Sequence, residues 1–259
     1  MIRKGYVSVS DGQIHYRRAD PEGNSLGSFL LLHQHPSSSK MWEPVMPLLA
    51  SRGYQAVAID IPGYGESFHC EVSLETIARY VFEAIPLLTL SEPSIVVGHH
   101  IGAAVAMQLA VDFPESVKKL ALWGVPILDE SVKKFVPEAP DFEDEDLKAV
   151  IKFWKIRNKV PGKPGYKMPP HARASRLLEM LQSNPRAREL PLLLKVESLV
   201  DRITQPTLCM CGDHELLKDA TIKTSKEFRN GELCFIQDGG MDVQIELPEE
   251  FASALVGFA

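Results

Sequence analysis

The chain has 259 residues, is 45% hydrophobic and carries a formal net charge of −6. With a sequence pI near 5.8 it offers no basic stripe for a nucleic-acid backbone, and no apolar run approaches membrane-spanning length. One large α/β domain with an insertion suits this length better than two small domains. The opening Met-Ile-Arg-Lys-Gly-Tyr lacks the apolar run and cleavage site of a secretory leader, so the cytoplasm is the expected compartment. Cys70, Cys209, Cys211 and Cys234 are scattered rather than paired at zinc-ligand spacing. Cys209 and Cys211 alternate along one apolar stretch, as small core residues do.

Residues 5–9 and 13–17 alternate around Asp11-Gly12, which predicts an antiparallel hairpin. Residues 28–32 read as a buried strand that empties into His33-Gln34-His35-Pro36-Ser37-Ser38-Ser39, and residues 41–49 show helical apolar spacing. A strand over 55–59 precedes Asp60-Ile61-Pro62-Gly63-Tyr64-Gly65-Glu66-Ser67, and a helix is predicted over 74–88. Next comes Ser94-Ile-Val-Val-Gly98-His99-His100-Ile101-Gly102-Ala103-Ala104, in which a strand breaks at a glycine and a small-residue helix opens at once. Residues 117–123 form a further strand. After Pro126 the sequence turns charged, helical and proline-broken as far as Arg202. A strand at 207–211, the turn Gly212-Asp213-His214-Glu215, a helix near 221–228, a strand at 232–236 and a final helix from Pro248 complete the chain. Strands alternating with helices imply a mostly parallel sheet covered on both faces. Ligands of such sheets sit beyond the carboxyl ends of the strands.

The turn Gly98-His99-His100-Ile101-Gly102 has the build of a nucleophile elbow, G-x-S-x-G, with histidine at its centre. His33-Gln34-His35-Pro36 is similar to an H-G-x-P loop, and Asp60 to Ser67 to a D-x-P-G-x-G-x-S turn. Together with the tail Gln244-Ile-Glu-Leu-Pro-Glu-Glu-Phe251, these motifs resemble the α/β-hydrolase superfamily in order and spacing. The run Ser37-Ser38-Ser39-Lys40-Met41-Trp42 looks like the haloalkane dehalogenase and epoxide hydrolase branch. The resemblance implies a mostly parallel, twisted eight-stranded sheet flanked by helices. Residues 1–126 and 203–259 would form this core, and 127–202 an inserted helical cap.

The resemblance also places the chemistry. Backbone N–H groups of His35 (or Gln34) and Ile101 fall where the family builds its oxyanion hole. The family's acid lands on Glu215, with Asp213 as the near alternative, while the catalytic-histidine slot holds Met241. A thioether cannot accept and return a proton, so a serine-hydrolase mechanism is excluded on these alignments. His100 then has three candidate roles: general base, nucleophile forming an acyl-imidazole, or hydrogen-bond partner for a ligand carbonyl. The general base is favoured, because the positive end of the helix dipole favours the neutral ring and a base needs no following histidine.

His35 is expected to face the same cavity as His100, whereas His99 packs beneath the turn and His33 belongs to the loop. The pocket is expected to include Met241, Trp42, Asp213, His214 and Trp154, with Phe153 and Tyr166 as further walls and a floor made more apolar by Met241. His214, beside the acid turn, either replaces the missing base or points to solvent, the three serines cap a helix, and Asp238 and Asp242 either provide a carboxylate beside the vacant base slot or are solvated loop residues. A metal on His35, His100 and Glu215 can be drawn, but no ligand spacing supports it. No phosphate-binding glycine loop marks a cofactor, so none is expected. The reading is a cofactor-independent, non-serine enzyme acting on a small carbonyl compound by hydrolysis or by lyase or isomerase chemistry. Its partner is a small molecule, not nucleic acid or membrane, and a homodimer is left open. The competing reading is a catalytically silent ligand-binding protein or scaffold on the same fold.

Overall fold

The computed structural model describes residues 1–91, 94–127, 147–157, 162, 164–188 and 190–259. The hairpin forms as the alternation predicts: β1 (Ile2–Val9) pairs antiparallel with β2 (Gly12–Ala19), with Val9 opposite Gly12. Five-residue apolar runs give β3 (Ser28–Leu32) and β4 (Gln55–Ile59), buried along their whole length as strands covered on both faces must be. β5 (Ser94–His99), β6 (Lys119–Trp123), β7 (Thr207–His214) and β8 (Gly231–Gly240) complete a single eight-stranded sheet in the order β1-β2-β4-β3-β5-β6-β7-β8. Every pairing from β4 to β8 is parallel.

Alternate residues of each strand feed different cores. Leu30, Leu32, Val57, Ile59, Val96, Leu120 and Leu122 pack with α2 (Leu74–Ala84) and α3 (Ile101–Asp112) on one face. Phe29, Leu31, Val97, Ala121, Trp123 and Met210 pack with Trp42, α1 (Met46–Ser51) and α10 (Pro248–Phe258) on the other. The first ten residues of α3 are all buried, and nine of them are small or apolar, Gln108 being the exception.

Between β6 and β7 lie α4 (Lys148–Arg157), α5 (Pro170–Gln182), α6 (Leu190–Leu193) and α7 (Glu197–Val200), and after β7 come α8 (Lys218–Ser225) and α9 (Val243–Glu246). Residues 128–146 of the expected cap lie outside the described residues.

Several boundaries differ from expectation. The helix expected over 41–49 is split into a 3-10 turn at Ser39–Trp42 and α1, because Pro44 and Pro47 allow a helix start but not an unbroken run through both. α2 stops at Ala84 and tightens to a 3-10 turn over Ile85–Leu88, where Pro86 lacks the N–H an α-helix needs. The expected turn at 212–215 is instead the irregular end of β7, which shifts register between Gly212 and His214, and β8 runs beyond Ile236 to Gly240. β6 starts at Lys119, and the helix expected near 221–228 runs over Lys218–Ser225.

The chain moves from β3 to β4 on one side and then to β5 on the other, so the topological switch point lies between β3 and β5. Leu32 pairs with Gly98. The loop carrying His33 to His35 and the turn carrying His100 therefore leave the sheet side by side, where ligands of open α/β sheets bind.

Candidate active site

The elbow is built by close approach. A Cβ on Gly98 would lie 2.4 Å from the Ala103 backbone, and one on Gly102 would lie 2.2 Å from the Leu32 carbonyl. Strand and helix can therefore meet only through glycine. His100, between them, is held at φ 48° and ψ −105°, a region L-residues seldom occupy. Its amide donates to the Trp123 carbonyl at 3.0 Å, tying the turn to β6. The ring keeps 14% of its surface exposed and places Nε2 2.8 Å from Oε1 of Glu215, whose side chain is wholly buried.

Glu215 is surrounded by donors. Oε1 also accepts from the Leu217 amide at 3.0 Å, and Oε2 accepts from the Trp123 indole N–H at 2.7 Å. Burial alone would push this carboxyl up, but the His100 imidazole and these N–H donors outweigh it, and Glu215 lies below the ordinary glutamate range. Gly124 makes the contact feasible. It closes β6 between the loops bearing His100 and Glu215, at φ 64°, and a Cβ there would lie 2.4 Å from His100 Cδ2 and 3.1 Å from Glu215 Oε1.

His99 matches its expected role: it is buried beneath the turn, 4.6 Å edge-on from His100 and within 6.3 Å of the Trp42 and Trp123 rings. His99, His100 and Glu215 each bring one ligand atom within 4.8 Å of the others. A cation there would have to displace the hydrogen bonds that already occupy both Glu215 oxygens, so the donor set is poorly suited to a metal.

The His33–Pro36 loop is pinned from below. Asp60 accepts from Ser39 N and Oγ at 2.7 and 2.5 Å and from the Glu66 amide at 2.8 Å, and it pairs with His15 Nδ1 at 3.0 Å. Burial would raise the Asp60 carboxyl, yet these partners hold it well below the usual range. His33 Nε2 accepts from the Ile61 amide at 2.9 Å, so Nδ1 carries the proton toward the Gln34 carbonyl. Burial lowers its pKa to about 4. His35 is half-buried, follows Pro-loop geometry with a cis bond to Pro36, and puts Nδ1 3.3 Å from the Tyr64 hydroxyl, which itself donates to the Ala187 carbonyl at 2.6 Å.

The surroundings of Met241 correct the expectation of an apolar floor and of a solvated Asp242. Asp242 is 2% exposed and pairs with Arg176 of α5 at 3.2 Å. Gln34 turns its side chain to the same place: Nε2 reaches Asp242 Oδ1 at 3.0 Å and the Met241 carbonyl at 3.3 Å, while Oε1 is buried without a hydrogen bond. Arg176 also donates to Ser37, and Ser38 donates to Glu179 at 3.3 Å.

Two expected wall residues, Trp42 and Asp213, fall elsewhere. Trp42 is fully buried in the core against Phe251, because its ring fills the space under the elbow. Asp213 is exposed and accepts from the Asp238 amide at 2.8 Å, which leaves Glu215 as the buried acid. Of the serines, only Ser38 caps the 3-10 turn. Trp154, half-buried, stacks under the Arg173 guanidinium at 3.8 Å, and His214 and Met241 are likewise half-buried. Sequence reasoning missed Trp123, Gly124, Arg176 and His15. Gly124 carried a usable signal, a glycine closing an apolar strand.

The comparisons agree with this geometry at the level of the fold. The α/β hydrolase fold family model matches residues 27–165, more than half of the chain, and the chain belongs to that family. It is 30% identical over 132 residues to bifunctional epoxide hydrolase 2 of Sus scrofa, covering 49% of this chain and 23% of that protein. It is 35% identical over 127 residues to a fluoroacetate dehalogenase of a Burkholderia species, covering 45% of this chain and 41% of that protein. These matches thus span less than half the length of the curated relatives. The likeness in fold is broader: a bromoperoxidase from Bacillus anthracis superposes with a TM-score of 0.79 at 16% identity, covering 99% of both chains. An esterase from Exiguobacterium antarcticum superposes equally well at 18% identity, covering 98% of both.

Proposed function

We propose that the chain is an enzyme in which His100 acts as general base on a small carbonyl compound, with Glu215 as its partner and no serine nucleophile. The observation that carries this reading is the 2.8 Å contact between His100 and a buried, donor-saturated Glu215. A histidine at the elbow that only filled space would not need an ionised carboxylate brought from the end of β7. Relatives named as epoxide hydrolase and fluoroacetate dehalogenase support hydrolytic chemistry on small organic molecules. Met241 in the base slot argues against their mechanism being carried over unchanged.

In this reading His100 takes a proton from water or from carbon next to the carbonyl. The charge that develops on oxygen meets the amide N–H groups of Ile101, which opens α3, and His35; the first N–H groups of a helix have no intrahelical partner. The helices between β6 and β7 form the cap and supply the far wall, Trp154 among them.

The test is mass spectrometry of a small-molecule extract of the native host incubated with wild type or with His100→Ala. A compound consumed by wild type and spared by the variant is the expected result, and its mass change separates water addition from cleavage or isomerisation. A compound retained by both proteins, with none consumed, would instead leave a binding protein.

A further inference from the structure

The hydrogen-bond inventory of Glu215 determines which nitrogen of His100 can do chemistry. An ionised carboxylate only accepts. Its Oε1 faces His100 Nε2, so in the neutral ring the proton sits on Nε2 and the lone pair on Nδ1. We propose that His100 works through Nδ1, the ring nitrogen nearer its own main chain, and that Trp123 is the positioning residue that fixes this choice by holding Glu215 Oε2.

The geometry supports the assignment from both ends. Trp123 is fully buried, packed against His99 and Phe251, so its N–H has a fixed direction. It spends that N–H on Glu215 alone, at 2.7 Å, and turns the carboxylate so that Oε1 is presented to His100. The Leu217 amide holds Oε1 from the other side, and Gly124 keeps the gap clear. The Nδ1 lone pair and the Ile101 N–H belong to adjacent residues at the start of α3. In turnover Nδ1 receives the proton while Nε2–H stays on Glu215, and Nδ1–H returns that proton to product. The catalytic meaning rests on the general-base reading above, but the tautomer is measurable without a substrate.

The experiment is nitrogen-resolved NMR of the His100 imidazole, with carbon-detected titration of the Glu215 carboxyl, in wild type, in Trp123→Phe and in a protein carrying 3-(3-benzothienyl)alanine at position 123. The last keeps the bicyclic shape without the N–H and decides the matter if the phenylalanine variant does not fold. Wild type should show protonated Nε2 and bare Nδ1 as one tautomer. Loss of the indole N–H should introduce the other tautomer and move the Glu215 titration up by about one pH unit. Bare Nε2 in wild type would overturn the proposal, as would variants whose tautomer and carboxyl titration are unchanged. Failure of the general-base reading would look different: the tautomer would be as stated, and no compound would be consumed.

Discussion

At the scale of single residues, the site depends on what is absent at position 124. Gly124→Ala places a methyl 2.4 Å from the His100 ring at a φ of 64°. It should separate His100 from Glu215, abolish most turnover and cost about 1–3 kcal/mol of stability. Gly257→Ala, where no atom lies within 4 Å, should cost nothing and can gain about 0.5–1 kcal/mol, since α10 is a helix. Denaturant unfolding of the two variants checks the contrast. His33 gives a pH-dependent counterpart. Its folded pKa of about 4 lies below the ordinary 6.5, so the unfolded chain takes up a proton that the folded chain refuses. Its contribution is complete above pH 6.5 and is lost as the pH falls from there toward 4, on the order of 3 kcal/mol in all. His33→Gln, whose amide oxygen can still accept from the Ile61 N–H, should flatten that part of the stability profile, as measured by urea unfolding at stepped pH.

At the scale of elements, the elbow is a contact between two backbones. A Cβ on Gly102 would meet the Leu32 carbonyl carbon at 2.6 Å as well as its oxygen, and neither can give way without moving β3. Gly102→Ala should therefore destabilise by at least as much as Gly124→Ala and shift the His33–Pro36 loop, visible as lost protection in amide exchange of β3. This element was legible in the sequence: strand-formers, glycine, small-residue helix and the motif order fixed both strand and turn. The positions of the partners were less so. Whether Glu215 or Asp213 is the buried acid depends on the register shift at the end of β7, which no periodicity records. Trp123 reads as one more apolar strand residue until its indole N–H is seen on a carboxylate. Trp42 was misplaced for the converse reason, since an aromatic next to a motif loop can face core or pocket with the same sequence.

At the scale of the whole molecule, Gln34, Met241, Asp242 and Arg176 meet in one place. A buried ion pair, Asp242 with Arg176, joins the helices between β6 and β7 to the core. Arg176 is 4% exposed, so Arg176→Ala removes the ion-pair partner of the buried Asp242, leaves Gln34 Nε2 still donating to it, and should cost about 3–5 kcal/mol. If the pair is an anchor, exchange protection should fall in α5 before it falls in the sheet. Arg176→Met with Asp242→Leu, which removes both charges, should recover much of the loss. None of this was visible from the sequence, because an arginine in a helix that also carries His171 and Arg173 and an aspartate in a loop both look solvated until the chain closes.

Chemical rescue shows whether His100 supplies the working imidazole. His100→Gly suits the φ of 48° at the elbow and leaves a hole the size of the ring. Turnover of the compound that wild type consumes should be lost in this variant and restored by added imidazole, in proportion to its concentration, with no such gain in wild type. Unimpaired turnover by His100→Gly without imidazole would rule His100 out as the base and move the chemistry to another residue.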